Sequence, residues 1–164
     1  MRKNQSFGKV SETRPYKSEE YVIPKNTNSE IIWVKLTTKG NKWLYIGACY
    51  RPEKSDEKTL HDCDDYLQAI TKNENNAILL GGDFNLDGWD WEKNVIKPNA
   101  RYVAIHHLFE DIINNHGLKQ IIDEPTRKNT VLHLLITNRQ NEINRTEILP
   151  GIATGDDIKW YTQN

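Results

Sequence analysis

No stretch of this 164-residue chain approaches the ~18 consecutive apolar residues that a membrane-crossing helix needs. The N-terminus, "MRKNQSFGKV", has basic residues but no apolar core of the kind a secretory signal carries. Together these predict a protein that does not span a membrane, is not secreted, and works inside the cell, in nucleus or cytoplasm. Cysteine is scarce. Cys49 and Cys63 make neither a disulfide framework nor a zinc-ligand spacing, which suits a reducing compartment. Internal repeats and low-complexity tracts are also missing, which excludes solenoid architectures.

What is present fits one domain with a real core: 37% apolar and 27% charged residues. The formal net charge of −1 says little about partners, but the halves differ. Residues 1–60 carry 12 Lys and Arg against 7 Asp and Glu, whereas residues 61–164 carry 10 against 16. An acidic half is a poor general surface for phosphate backbones. It is a reasonable place to recruit a divalent cation first and a phosphate second. Ordinary variation in surface charge explains the asymmetry equally well.

Residues 1–28 are polar, lack periodicity and read as irregular. "EIIWVKL" (30–36) and "WLYIGACY" (43–50) are aromatic and β-branched runs separated by a Gly-containing turn, so they predict two strands. Ser55 is a candidate cap for a helix beginning at Asp56 and Glu57, in which Leu60, Cys63, Leu67 and Ile70 recur at helical spacing. "AILL" (77–80) predicts a short buried strand. Residues 99–117 predict a second helix with Val103, Leu108, Phe109, Ile112 and Ile113 inward and Gly117 as its stop. "LKQII", "TVLHLLIT" (His133 mid-run) and "RTEILPG" predict further strands. Strands alternating with helices argue for a layered α/β fold.

The chemistry concentrates in "AILLGGDFNLDGWDWEKN", where an apolar run stops at two glycines and is followed by Asp83, Asn85, Asp87 and Asp90. Two readings compete. Asp83, Asn85, Asp87 and Gly88 match the start of an EF-hand calcium loop. That match fails at position twelve, where Asn94 replaces the bidentate glutamate, and upstream, where a strand-like run replaces the entering helix. The second reading is an active-site loop acting on phosphate esters. Ligand chemistry in α/β folds sits at the carboxyl ends of strands. Asp83 would activate water or hold a metal there, Asn85 would donate its amide to a phosphate oxygen, and Phe84 between them would enter the core.

The ordered set "YRP", "GGDFN", "PTR…VLHLLITN" and "ILPGIATGDD" resembles the endonuclease/exonuclease/phosphatase superfamily. Within it the set is most similar to the endonuclease domain of non-LTR retrotransposons. The resemblance covers roughly residues 30–158. It implies a two-sheet β-sandwich flanked by helices, here short of its N-terminal part, spanning 29–158 between an irregular segment (1–28) and a tail (159–164). It implies hydrolysis of a phosphodiester in DNA with Mg²⁺ or Mn²⁺, and a possible reverse transcriptase domain in the parent element. Tyr50 matches the family tyrosine near the scissile phosphate, Asp83 the carboxylate that positions or deprotonates water, and Asn85 its amide partner. Asp156 falls at the family's metal-linked aspartate, so Asp83, Asn85 and Asp156 are the implied metal site. Arg51, Arg127 and Asn138, in the same motifs, are the candidate substrate contacts.

The sequence departs from the pattern in three places. The N-terminal strand and its metal-binding glutamate have no clear counterpart; Glu12 in "SETR" matches that motif only superficially. His133 stands where the family has an aspartate, and Asp157 where it has a histidine. The family's carboxylate–imidazole pair is therefore exchanged, which would put a carboxylate toward the phosphate. The leading reading is a metal-dependent DNA endonuclease. The alternative is a degenerate remnant of that domain with at most weak nucleic-acid or partner binding, and the third is a calcium-binding module.

Overall fold

Three strands open the main sheet: Ser18–Glu20 (β1), Glu30–Thr37 (β2) and Trp43–Tyr50 (β3). The computed structural model describes residues 17–22, 29–38, 42–54, 56–91, 93–122, 124–126, 130–143, 145–149 and 159–163. β2 and β3 pair antiparallel along their full length, Glu30 opposite Tyr50 and Thr37 opposite Trp43, as their aromatic and β-branched content predicts. β1 corrects the reading of 1–28 as wholly irregular. Its three exposed, polar residues pair with Val34–Leu36, and Glu19 meets Lys35 at 3.1 Å, contacts that leave no apolar periodicity in the sequence.

The chain then crosses over through a helix, Lys58–Thr71 (α1), to Ala77–Asp83 (β4), which runs parallel to β3. α1 starts two residues later than its acidic opening suggests. The Asp56 carboxylate accepts the Lys58 N–H at 3.0 Å, and Ser55 lies outside the described residues. Leu60, Cys63, Leu67 and Ile70 are all buried, as their spacing predicts, and Tyr66 stacks on Trp33 of β2 with ring centroids 6.0 Å apart. β4 extends past "AILL" through both glycines to Asp83. A strand therefore leads into the Asp83 loop, and the entering helix of a calcium loop is replaced by sheet.

Beyond β4 a hairpin of two short strands, Trp89–Asp90 (β5) and Val95–Ile96 (β6), precedes the second helix, Val103–Asn115 (α2). Phe109, Ile112 and Ile113 are buried as predicted, but Val103 is exposed and Leu108 only partly buried; Ile105 and His106 face inward instead. Gly117, at φ +62°, ends the helix. Lys119–Gln120 (β7) and His133–Thr137 (β8) complete the main sheet in the order β1-β2-β3-β4-β8-β7. β8 begins at His133, so the histidine opens the strand rather than sitting mid-run. The cause is Thr126, whose hydroxyl takes the N–H groups of Leu132 and His133 at 2.9 and 3.0 Å. Arg145–Leu149 (β9) and Lys159–Gln163 (β10) pair antiparallel, so residues read as a tail form a strand.

Alternation along the strands sets two faces. Trp33, Tyr45, Cys49, Ile78, Leu80, Leu134 and Ile136 are buried on the helix side. The opposite face of β2 and β3 carries exposed Ile32, Ile46 and Tyr50. The candidate site lies at one end of that second face.

Candidate active site

Tyr50, Asp83 and His133 form one row across three adjacent strands. Tyr50 is in register with Asp83 in the parallel β3–β4 pair, and Asp83 is opposite His133 in the antiparallel β4–β8 pair. Directly paired residues share a face of the sheet with Cβ atoms only ~4.5–5.5 Å apart. The register therefore gathers at one sheet end three groups separated widely in sequence. Tyr50 is 44% exposed, and Asp83 and His133 are partly buried.

The loops on either side are tied to each other. The Arg51 N–H donates to the Asp83 carbonyl at 2.8 Å. The Asn85 amide donates to the Arg51 carbonyl at 2.7 Å, and the Arg51 Nη1 to the Phe84 carbonyl at 3.0 Å. Asp83 Oδ1 accepts the Asn85 N–H at 3.1 Å. Asn85 takes a left-handed conformation, φ +49°, which asparagine tolerates better than most residues. These bonds join "YRP" to "GDFN". Phe84 is fully buried, as predicted, against Phe109 with centroids 5.2 Å apart.

Two expected substrate contacts fall elsewhere. Arg51 is 1% exposed and holds its guanidinium against the Phe84 carbonyl, so it braces the loop from inside. Asn138 follows the far end of β8, where its side chain accepts the Ile78 N–H and donates to the Asn76 carbonyl, both at 2.9 Å. It joins β8 to the start of β4, at the end of the strand pair away from His133. Arg127, Asp156, Asp157 and Glu12 lie outside the described residues.

Thr126, within "PTR", is a site residue that periodicity could not find. It is 0% exposed and its hydroxyl oxygen already accepts two backbone N–H groups. Its own proton is left to donate to His133 Nδ1, 3.4 Å away, which favours the tautomer with the proton on Nε2. A second is His106, which accepts the Gly88 N–H at 3.1 Å. Its position three before Phe109 and seven before Ile113, on the apolar stripe of α2, was the available signal. Beside Asn85 a small cleft of about 40 Å³ is lined by Asp87, Arg101, Tyr102 and His106 among others.

Both cysteines are free and buried. Burial pushes the Cys49 thiol up to about 12 and the Cys63 thiol well above its ordinary value, so neither forms a thiolate nucleophile near neutral pH. For a cation, Asp83 is the described carboxylate in the row. Among the described residues no group of three or more His, Cys, Asp or Glu could hold a metal ion.

The fold is α/β, of the endonuclease/exonuclease/phosphatase type. It resembles the endonuclease domain of TRAS1, a telomere-specific non-LTR retrotransposon, with a TM-score of 0.60 at 13% identity, over 88% of this chain and 65% of that one. It also resembles the human Nocturnin catalytic domain solved with a bound sulfate, with a TM-score of 0.51 at 13% identity, over 83% of this chain and 52% of that one. At such identities the likeness establishes the fold, and the chain spans about two thirds of the TRAS1 domain and half of the Nocturnin one. The profile of the Endonuclease-reverse transcriptase family matches residues 44–156, and the chain belongs to that family. A comparison with curated proteins gives no match. Among the described residues no helix is long and apolar enough to cross a membrane.

Proposed function

We propose that this chain carries a phosphodiesterase site of DNA-endonuclease type, belonging to a non-LTR retroelement and working with Mg²⁺ or Mn²⁺. The observation that supports it best is the Tyr50–Asp83–His133 row, placed at the carboxyl ends of β3 and β4 and braced by the Arg51–Phe84–Asn85 bonds. Asp83 is the carboxylate suited to orient or deprotonate water, and with Asp156 and Asn85 it would hold the cation. A bound divalent cation supplies charge neutralisation at the phosphate. The exposed Tyr50 hydroxyl is suited to donate to a phosphate oxygen. His133, with Nδ1 engaged by Thr126, offers Nε2–H. The proposed substrate is DNA, and the proposed partner a reverse transcriptase domain of the parent element.

One observation favours a second reading, a catalytically degenerate remnant. An imidazole stands opposite Asp83, where the family resemblance implies a carboxylate. Losing a single transition-state donor costs ~10²–10³ in rate, so any nicking is expected to be slow. The test is conversion of supercoiled plasmid to open circles with Mg²⁺ or Mn²⁺. Cleavage that needs the metal, disappears in Asp83→Ala and drops roughly tenfold or more in Tyr50→Phe supports the endonuclease. No cleavage above the Asp83→Ala background establishes the remnant.

A further inference from the structure

We propose that His106 is the positioning residue for the Asp87–Gly88 turn beside the candidate site, and that it acts only as the neutral imidazole protonated on Nδ1. The ring is 2% exposed and both its nitrogens are engaged. Nε2 meets the Gly88 N–H at 3.1 Å, and Nδ1 meets the Tyr102 carbonyl at 3.1 Å. A backbone N–H can only donate and a carbonyl can only accept. The proton must therefore sit on Nδ1, leaving the lone pair of Nε2 for Gly88. A second proton, on Nε2, would face the Gly88 N–H with no acceptor between them in a buried place.

The surroundings are shaped to this contact. A Cβ at Gly88 would lie 2.8 Å from His106 Nε2 and 2.5 Å from the Ala100 Cβ, so the turn approaches the ring as glycine alone allows. The Gly88 carbonyl accepts the Lys97 N–H at 2.8 Å, and the Lys97 ammonium donates to the Asp87 carbonyl at 3.0 Å. On the other side Tyr102 is held at φ +54°, unusual for a tyrosine, while its carbonyl also accepts the Ile105 N–H at 2.9 Å. The imidazole thus joins the start of α2 to the turn that follows Asn85. Charged groups lining the same cleft are Arg51, Glu53, Lys54, Asp87 and Arg101. His107, the next residue, turns outward to Glu110. Fixing Gly88 fixes one wall of the cleft that Asn85 and Asp87 share. The value of that wall to catalysis rests on the proposed function; the hydrogen-bond geometry does not.

The test is nuclear magnetic resonance on the full chain. The ¹⁵N shifts of His106 should report Nδ1–H with Nε2 unprotonated, and a scalar coupling should connect Gly88 N–H to Nε2. Gly88 amide exchange should rise at least ~10-fold in His106→Leu, which loses the acceptor, and return close to wild type in His106→Gln, whose Oε1 can reach the same N–H. An Nε2–H tautomer, absence of the Gly88–Nε2 coupling, or equal Gly88 exchange in wild type and a folded His106→Leu overturns the inference. The tautomer and the coupling are read on the wild-type chain, so they decide the matter even where His106→Leu fails to fold. Plasmid nicking is not needed for any of these readings, so its absence would count against the proposed function alone.

Discussion

Gly82 and Cys49 stand side by side in the β3–β4 pair with no space between them: a Cβ on Gly82 would lie 1.8 Å from the Cys49 carbonyl oxygen. Gly82 also has φ +153°, which side chains rarely adopt. The close approach carries β4 through its glycines to Asp83. Gly82→Ala should therefore cost at least about 3 kcal/mol or prevent folding. At Gly47 a Cβ would press on the Trp33 ring at 2.8 Å and on Leu80 at 2.9 Å, side chains that can shift, for about 1–2 kcal/mol. At Gly117 the space is open and only φ +62° resists, for about 1 kcal/mol. Urea midpoints should fall in that order, and a Gly82→Ala protein as stable as Gly117→Ala would refute the packing.

Thr126 serves three groups at the mouth of β8. Thr126→Val keeps the shape and removes the acceptor for the Leu132 and His133 N–H groups. The expected loss is about 2 kcal/mol, with most of it recovered in Thr126→Ser. Equal stability of the valine and serine variants in chemical denaturation would show that the hydroxyl contributes little.

His116 links the two helices. Its Nε2 meets the Asp64 carboxylate at 2.6 Å and its Nδ1 meets the Thr71 hydroxyl at 3.2 Å. The His116 side chain is 8% exposed and that of Asp64 27%, so the pair is shielded more than a surface ion pair. A double-mutant cycle on Asp64→Asn and His116→Ala should give a coupling of about 1–2 kcal/mol at neutral pH. A coupling near zero would place this contact among ordinary surface pairs.

The buried thiols set an alkaline limit. Burial raises Cys49 from 9.0 to about 12, with Asp83 adding to the rise and Arg51 opposing it. Burial likewise raises Cys63. Above pH 9 the unfolded chain releases a thiol proton that the folded chain retains, so unfolding is favoured. For Cys49 the contribution is complete below pH 9 and is lost as pH rises toward about 12, by up to about 1.4 kcal/mol per unit. Cys49→Ala should flatten this fall, measured as urea stability between pH 8 and 11, while leaving the slope below pH 8 unchanged.

Elements whose side chains report their own environment are legible in the chain. Alternating aromatic and β-branched residues marked β2 and β3, and the Leu60–Cys63–Leu67–Ile70 spacing marked α1. The ordered motifs pointed to the family and to Tyr50, Asp83 and His133, which register then placed in one row. β1 and β10 are not read as strands from the sequence; Ser18–Glu20 has no apolar pattern, and it is held by its pairing with β2 and by the Glu19–Lys35 ion pair at 3.1 Å. Long-range packing turns Arg51 inward to Phe84 and sets Asn138 at the opposite end of β8, and the Thr126 hydroxyl takes the N–H groups at the start of that strand. Residue type states which hydrogen bonds a side chain can make. Which partner stands within about 3 Å is set by packing, 6 residues along the chain for Thr126 and Leu132 but 33 for Arg51 and Phe84 and 60 for Asn138 and Ile78.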